Sequence, residues 1–391
     1  MKTRILYIST LLATTLTFGS CTNTKAETLA ENTTLIEKIV EKPVSENKIQ
    51  VAILLDTSNS MDGLIEQAKS RLWNIVNTLT TLKYEGKTPE IEIGLYEYGN
   101  DGLSSASNYI RQVAPLTTDL DLISEKLFSL RTNGGQEYCG AVIQDAVTKL
   151  SWKDGNKNMK LVYIAGNEPF NQGPINYKEV VKNALKQDIY INTIFCGNQE
   201  EGIRTFWQDG AITGNGKYFN IDSNERVQYI NTPYDDQITL QNQKINETYV
   251  SYGKKGAEKK MNQEVQDANA GSVSKANYVE RSVSKSKAVY KNESWDLVDK
   301  VSEDEKAIDN LKKEELPAEL QNKDKAEIKA YVAKKSAERE KIQKEISVLA
   351  KKRQAYIDAE MEKAKIKDDL GNAISSSIIE LGKTKGYKVE K

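Results

Sequence analysis

The sequence predicts an α/β fold: a doubly wound, mostly parallel sheet over residues 48–225, followed by an extended α-helical, partly coiled-coil region over 226–391. Two observations carry that expectation. Short β-rich apolar runs alternate with amphipathic helical segments from Lys48 to Ile221, the pattern of a parallel sheet covered on both faces. Charge is also uneven: 59 of the 151 residues from 241 onward are charged, against 52 of the first 240. The balanced total, 55 Lys plus Arg against 56 Asp plus Glu, therefore sums a packed acidic domain and a solvated, mildly basic helical one. The basic surplus is spread through mixed-sign sequence, so no nucleic-acid binding is expected. The chain has no histidine. That excludes Ser-His-Asp and Cys-His nucleophile pairs, and imidazole-held zinc, haem or non-haem iron. Carboxylate-pair hydrolysis and chemistry on a hard cation remain open.

Taken in order, the chain opens with Met-Lys-Thr-Arg, an apolar and hydroxyl run from Ile5 to Phe18, and Gly19-Ser20-Cys21. A basic start, a short apolar stretch and small residues before a cut define a signal peptide over 1–20. The stretch is too short to span a bilayer as a mature helix. The segment resembles the lipobox of bacterial lipoproteins, with Phe18 where Leu is usual. The resemblance implies acylation at Cys21, and two or more acyl chains anchor a protein stably. An ordinary signal peptide with a chance cysteine is the alternative. Thr22 after Cys21 implies the outer membrane, by analogy with lipoprotein sorting. The absence of a dense acidic run in Asn23–Glu27 points to the periplasmic face, with the cell surface as the alternative. Residues 21–47 read as a flexible tether.

Ile49–Leu55 is a strand buried on both faces, and Leu64–Leu82 has helical apolar spacing. Ile91–Tyr98 and Tyr109–Val113 read as strands, Leu120–Leu130 and Ala141–Leu150 as helices. Lys160–Ala165 and Ile189–Phe195 are buried strands flanking a helix at Tyr177–Gln187; Gly202–Gln208 is helical and Tyr218–Ile221 a last short strand. In such sheets ligands bind beyond the carboxyl ends of the central strands.

Asp56-Thr57-Ser58-Asn59-Ser60 occupies that location after the first strand. One carboxylate and two hydroxyls on a tight loop offer converging oxygens to a hard cation such as Mg²⁺. With a buried strand before it and an amphipathic helix after it, this D-x-S-x-S resembles the metal-ion-dependent adhesion site of von Willebrand factor A domains, over roughly residues 48–225. In that family a second loop supplies a Thr and a third an Asp. Here the second loop, Thr132–Gly140, keeps the Gly134-Gly135 pair, but the Thr position falls near Gln136 or Glu137. The third loop has Gly166 where the Asp belongs. Glu137 and Glu168 could restore the lost charge slightly out of register. The expected set is thus Asp56, Ser58, Ser60, Glu137 and Glu168 around Mg²⁺ or another divalent cation. The alternative is a scaffold without metal, its serines capping the next helix. The resemblance implies a cation with an open position that accepts an acidic residue from a partner protein: recognition rather than catalysis.

Cys139 and Cys196 should both lie at the carboxyl-end rim, where an oxidising compartment favours a disulfide; two buried free thiols are the alternative. Beyond Pro233–Asp236, Ile238–Tyr249 looks helical, and Lys254–Lys287 is polar with little apolar face. Ala288–Val301 holds one apolar cluster around Trp295. A long helix is expected from Lys323 to about Leu370. Its Ile342, Ile346, Leu349 and Tyr356 fit a heptad seam, but Lys335, Arg339 and Arg353 fall on it too. That marginal coiled coil folds back on a neighbour, docks a partner or forms a solvated stalk. Ser282–Lys285 and Ser284–Lys287 match the S-x-x-K of penicillin-recognising hydrolases without its companion motifs, a chance match in Ser/Lys-rich sequence. The expected function is a lipid-anchored envelope protein that binds a protein partner and is not an enzyme. A metal-free structural spacer and a Mg-carboxylate hydrolase acting through Asp56, Glu137 and Glu168 are the alternatives.

Overall fold

The computed structural model of the chain describes residues 47–221, 229–364 and 369–390; the expected signal peptide, Cys21 and the tether as far as residue 46 lie outside the described residues. The strands are β1 (Lys48–Asp56), β2 (Leu82–Lys83), β3 (Glu90–Tyr98), β4 (Ile110–Thr117), β5 (Met159–Gly166), β6 (Ile189–Cys196), β7 (Asn215–Ile221) and β8 (Lys388–Val389). Six of them form one sheet in the order β4-β3-β1-β5-β6-β7. Every neighbouring pair is parallel except β3 with β4. Side chains alternate between the two faces along each strand. Val51, Leu55, Leu95 and Ile194 pack against α1 (Asp62–Thr80) and α2 (Leu120–Ser129). Ala52, Leu54, Val162 and Phe195 pack against α3 (Cys139–Lys149) and α4 (Tyr177–Lys186). The helix expected over Gly202–Gln208 is divided into α5 (Gln199–Arg204) and α6 (Trp207–Thr213). The break falls at Phe206, whose φ of 72° leaves the helical region.

The remaining helices are α7 (Asp235–Asn246), α8 (Gly256–Val273), α9 (Lys275–Lys285), α10 (Leu297–Glu303), α11 (Ala307–Asn310), α12 (Lys325–Ala364) and α13 (Asp369–Thr384). The polar stretch 254–287 is packed, not solvated. Gln263, Asp267, Asn277, Arg281, Ser284 and Lys285 are all buried. Arg281 donates from Nη1 to Asp121 at 2.8 Å, from Nε to Asp267 at 2.6 Å and from Nη2 to the Gln263 carbonyl at 2.9 Å. Its guanidinium lies 4.8 Å from the Trp73 ring centroid. Lys285 Nζ pairs with Asp267 at 2.9 Å. Burial pushes Lys285 down to about 8. Burial opposes ionisation of Asp267 too, yet Lys285 and Arg281 hold its carboxyl below the usual range. The S-x-x-K pair has no nucleophilic arrangement: Ser282 Oγ donates to the Tyr278 carbonyl at 2.8 Å, and both Ser282 and Lys285 are fully buried.

Helix α12 folds back, as one of the open readings had it. The two arginines that interrupt its heptad seam anchor it. Arg339 donates to Asp296 and Asp299, each at 2.7 Å, and stacks 4.0 Å from the Tyr249 ring centroid. Arg353 Nε donates to Asp235 at 3.0 Å. The sequence reading missed α13, which packs on α1 and β7. Its Ile374 and Ile378 are buried in the sheet core, and its Ser377 hydroxyl lies 2.8 Å from Tyr163 Oη. Strand β8 then pairs with β2. The end of the chain thus covers the face that β7, the last sheet strand, leaves open.

Two outcomes follow from this packing. Ile378→Ala, at a fully buried position, is expected to cost ~2–4 kcal/mol in urea unfolding. Arg281→Met leaves Asp121 and Asp267 buried without their cation and is expected to cost about 3–5 kcal/mol. A loss below ~1 kcal/mol would refute the structural role given to Arg281.

Candidate functional site

Three loops meet at the carboxyl edge of the central strands. The first follows β1. Thr57 N donates to the Tyr98 carbonyl at 2.9 Å, and Asn133 N donates to the Thr57 carbonyl at 3.0 Å, tying this loop to the end of β3 and to the second loop. Gly135 permits the approach of the second loop: a Cβ there would stand 2.1 Å from the Gly99 carbonyl oxygen. The Gly pair noted in the sequence therefore has a steric reason.

Asp56 is fully buried. Its Oδ1 accepts from Ser58 N at 2.8 Å, while its buried Oδ2 has no hydrogen-bond partner. The Ser58 hydroxyl favours the ionised form of both Asp56 and Glu137. The Ser58 and Ser60 hydroxyls lie 3.2 Å apart, and Asn167 Nδ2 donates to Ser60 Oγ at 3.2 Å. Neither serine serves as a helix cap through its side chain: Ser58 makes no such bond, and Met61 stands at the N-cap of α1. The hydroxyls are left for the carboxylates and for one another.

Burial pushes Asp56 up to about 8, with Glu137 and Glu168 adding repulsion. Burial and then Glu168 push Glu137 up to about 7. A Cβ on Gly99 would stand 2.8 Å from Glu137 Cγ and 2.9 Å from Asp56 Oδ1, so the two carboxyls lie side by side, while Glu168 reaches them through its field. The Glu168 carbonyl accepts from Trp207 Nε1 at 2.8 Å, which fixes the third loop. Among the described residues no three acidic or thiol side chains are grouped closely enough to hold an ion together. A cation here would therefore lean on the serine hydroxyls as well as on Asp56 and Glu137. The residues fit one, since the Oδ2 lone pairs lack a partner and the donor set is all oxygen.

The departures from the expected pattern have physical causes. A Cβ on Gly166 would lie 2.5 Å from Tyr98 Oη and 3.0 Å from Asp56 Oδ2, so the acid cannot stand there while Tyr98 does. Tyr98 Oη donates to the Ala165 carbonyl at 2.9 Å and holds that place. Thr132, the threonine of the second loop, donates its hydroxyl to Asp62 instead. Sequence reasoning missed both Tyr98 and Asn167; the tyrosine at the end of a strand otherwise buried on both faces was the available signal.

The expected Cys139–Cys196 disulfide is not formed: both thiols are free and buried. They sit on opposite faces of the sheet, Cys139 with the α3–α4 cluster and Cys196 with the α1–α2 cluster. Cys139 Sγ instead lies 3.7 Å from Tyr98 Oη. Being at the same rim did not put them on the same side.

Residues 50–233 match the family model of the von Willebrand factor type A domain. No curated protein matches the chain. Among solved structures, a conserved hypothetical protein BatB from Bacteroides thetaiotaomicron is 19% identical over 44% of this chain and 90% of its own, with a TM-score of 0.34. An aerotolerance-related membrane protein from Bacteroides fragilis is 18% identical over 45% and 93%, at 0.33. Proximal thread matrix protein 1 from the mussel byssus, with a zinc-occupied adhesion motif, is 13% identical over 50% and 48%, at 0.35.

The raised carboxyls make a signed prediction. Folded Asp56 keeps its proton up to about pH 8, whereas the unfolded chain releases it near 4. The folded state therefore binds more protons in between, and metal-free stability should fall as pH rises from about 5 to 8. Asp56→Asn should flatten that slope in urea melts run with EDTA. An unchanged slope would refute the assignment of the buried proton to Asp56.

Proposed function

We propose that this chain is a lipid-anchored cell-envelope protein that binds a protein partner at the Asp56 loop with the help of a divalent cation. One observation carries the reading: a fully buried carboxylate at the end of the central strand with an unpartnered oxygen, on the loop that carries the Ser58 and Ser60 hydroxyls and beside Glu137. Buried charge is costly unless paired, so such a group is either protonated or waiting for a cation. Asp56, Ser58, Ser60 and Glu137 would hold Mg²⁺ or a similar ion, and Glu168 would add negative field. When bound, the cation supplies an electrophilic centre for an oxygen ligand. The protein's own side chains do the rest: Tyr98 and Asn167 fix the rim and Gly135 lets the loops close. In this reading residues 1–20 are the export signal, Cys21 carries the lipid, and 21–47 tethers the 48–225 domain to the outer membrane.

Recognition suits this arrangement better than catalysis. A two-carboxylate hydrolase needs an acid and a base flanking a cleft, whereas here Asp56 is sealed from solvent. The metal-free spacer draws support from Gly166, which cannot become the usual acid beside Tyr98.

Mg²⁺ is expected to raise the melting temperature at pH 8, where the ion displaces the proton, and to do little at pH 5. Retention of envelope proteins by the immobilised chain should be lost both with EDTA and in Asp56→Ala. Retention that survives both would sink the metal-dependent reading and leave the spacer.

A further inference from the structure

The parallel strands give the sheet two chemically different ends. The carboxyl end holds Asp56, Glu137 and Glu168. The amino end is built from chain segments distant in sequence that close around the start of β1. Tyr84 and Tyr387 meet edge to face with ring centroids 5.3 Å apart, and Lys157 Nζ lies 5.3 Å from the Tyr84 centroid. Tyr387 Oη donates to the Lys157 carbonyl at 2.9 Å, and Glu390 N donates to the Thr81 carbonyl at 2.8 Å. This framework presents Lys87, Lys153, Lys157 and Lys388, all exposed, from one turn, one loop and the final strand. Lys186 and Lys383, also exposed, end α4 and α13, where the helix dipole alone accounts for a cation. The other four have no such explanation. The exposed carboxylates of this edge are Glu85, Asp154 and Glu390, so positive charge is in excess. Other lysines here are already neutralised: Lys48 by Glu90 and Glu92, Lys385 by Asp188.

The chain also enters the fold here. Tyr387 Oη lies 3.4 Å from the Lys48 carbonyl, so the first described residues, at the start of β1, stand beside these lysines. A tether over residues 21–47 spans at most about 90 Å and by itself leaves the domain free to tumble over a membrane.

We propose that this lysine-rich edge docks on an anionic phospholipid surface and turns the Asp56 loop away from it. Strand β1 runs from one end to the other, so the loop stands roughly 30 Å above the lysines. The proposal rests on the envelope reading only for the presence of a membrane; the contact itself needs no acyl chain. Lysines near an anionic surface gain from its negative potential within a screening length, and salt removes the gain.

The test uses the processed chain, residues 21–391 with Cys21→Ser, which retains every described residue and cannot be acylated. It is sedimented with neutral phosphatidylcholine vesicles and with vesicles carrying roughly a third phosphatidylglycerol. Binding is expected on the anionic vesicles only, abolished by 0.5 M salt (a chosen condition of about 4 Å screening length). The combined variant Lys87→Gln, Lys153→Gln, Lys157→Gln and Lys388→Gln should partition at least about tenfold less, and the corresponding Lys→Arg set should bind like the parent. Matched thermal melts show that the variants are folded. Equal binding to both vesicle types, undiminished binding of the Gln set, or no binding at all would overturn the proposal. Duplex DNA retaining the chain as well as the anionic vesicles do would also overturn it, by making the edge a general polyanion surface. Acylation of Cys21 is read separately, from the mass of the membrane-extracted protein, so a failed anchor and a failed docking edge remain distinguishable.

Discussion

The guanidinium of Arg281 is sealed from water, and α2 and α8 both supply groups that satisfy it. It takes one carboxylate from the sheet domain, Asp121 on α2, and another from the helical region, Asp267 on α8. Lys285 adds a second buried cation and Tyr290 donates its hydroxyl to Asp121. Two cations and two anions balance within the cluster, and Trp73 of α1 lies beneath the guanidinium. A buried ion pair contributes little beyond a well-packed apolar core, but it is intolerant of losing a member. That intolerance fixes α8 and α9 against α1 and α2. The same device recurs where Arg339 meets Asp296 and Asp299 and where Arg353 meets Asp235. Helices with few apolar residues are therefore held in place through buried ion pairs.

The Asp56 loop is the opposite case. Burial and two neighbouring glutamates act on Asp56, and burial, Glu168 and Asp101 act on Glu137, with no Lys or Arg among the main influences on either. Arg281, Lys285, Arg339 and Arg353 are each paired with a carboxylate of the fold, whereas Asp56 and Glu137 are not paired with a cation in this way. A perturbed group at the carboxyl end of a central strand, where such sheets bind ligands, is a functional candidate on physical grounds. The difference between the two clusters separates a structural charge network from a candidate binding site more sharply than either residue list does.

Much of the sheet domain was legible in the sequence, because a strand buried on both faces and an amphipathic helix are local patterns. The placement of Asp56, Ser58 and Ser60 was legible for the same reason: it depends on a five-residue loop. Tyr98 and Asn167 were not, since each matters through a neighbour far along the chain. The cysteine pairing failed on a one-residue question of strand parity, which decides the face a side chain takes. The packing of residues 254–287 was hidden because the hydrophobic pattern cannot report a core made of Arg281, Asp267 and Gln263. Helix α13 was legible in principle: Ile374, Ile378 and Leu381 recur at helical spacing. Its place on the sheet was not, because about 150 residues of chain separate it from β7.

The segregation of charge between the two ends of the sheet begins with topology. In a parallel α/β fold the strands share a direction and the crossover helices run back against them. Apart from α2, which follows antiparallel β4, helix carboxyl ends therefore collect where strands start, and helix amino ends where strands finish. The backbone favours cations at the first edge and anions at the second, which accounts for Lys186 and Lys383 and for part of the tolerance of Glu137 beside α3. Dipoles act within a turn of the helix end, so they account neither for Lys87, Lys153, Lys157 and Lys388 on loops and a strand, nor for a carboxylate as deeply buried as Asp56. These residues exaggerate a polarity that the fold already has. A domain whose described chain begins at the cationic end and whose candidate site lies at the anionic end has a direction before any partner arrives.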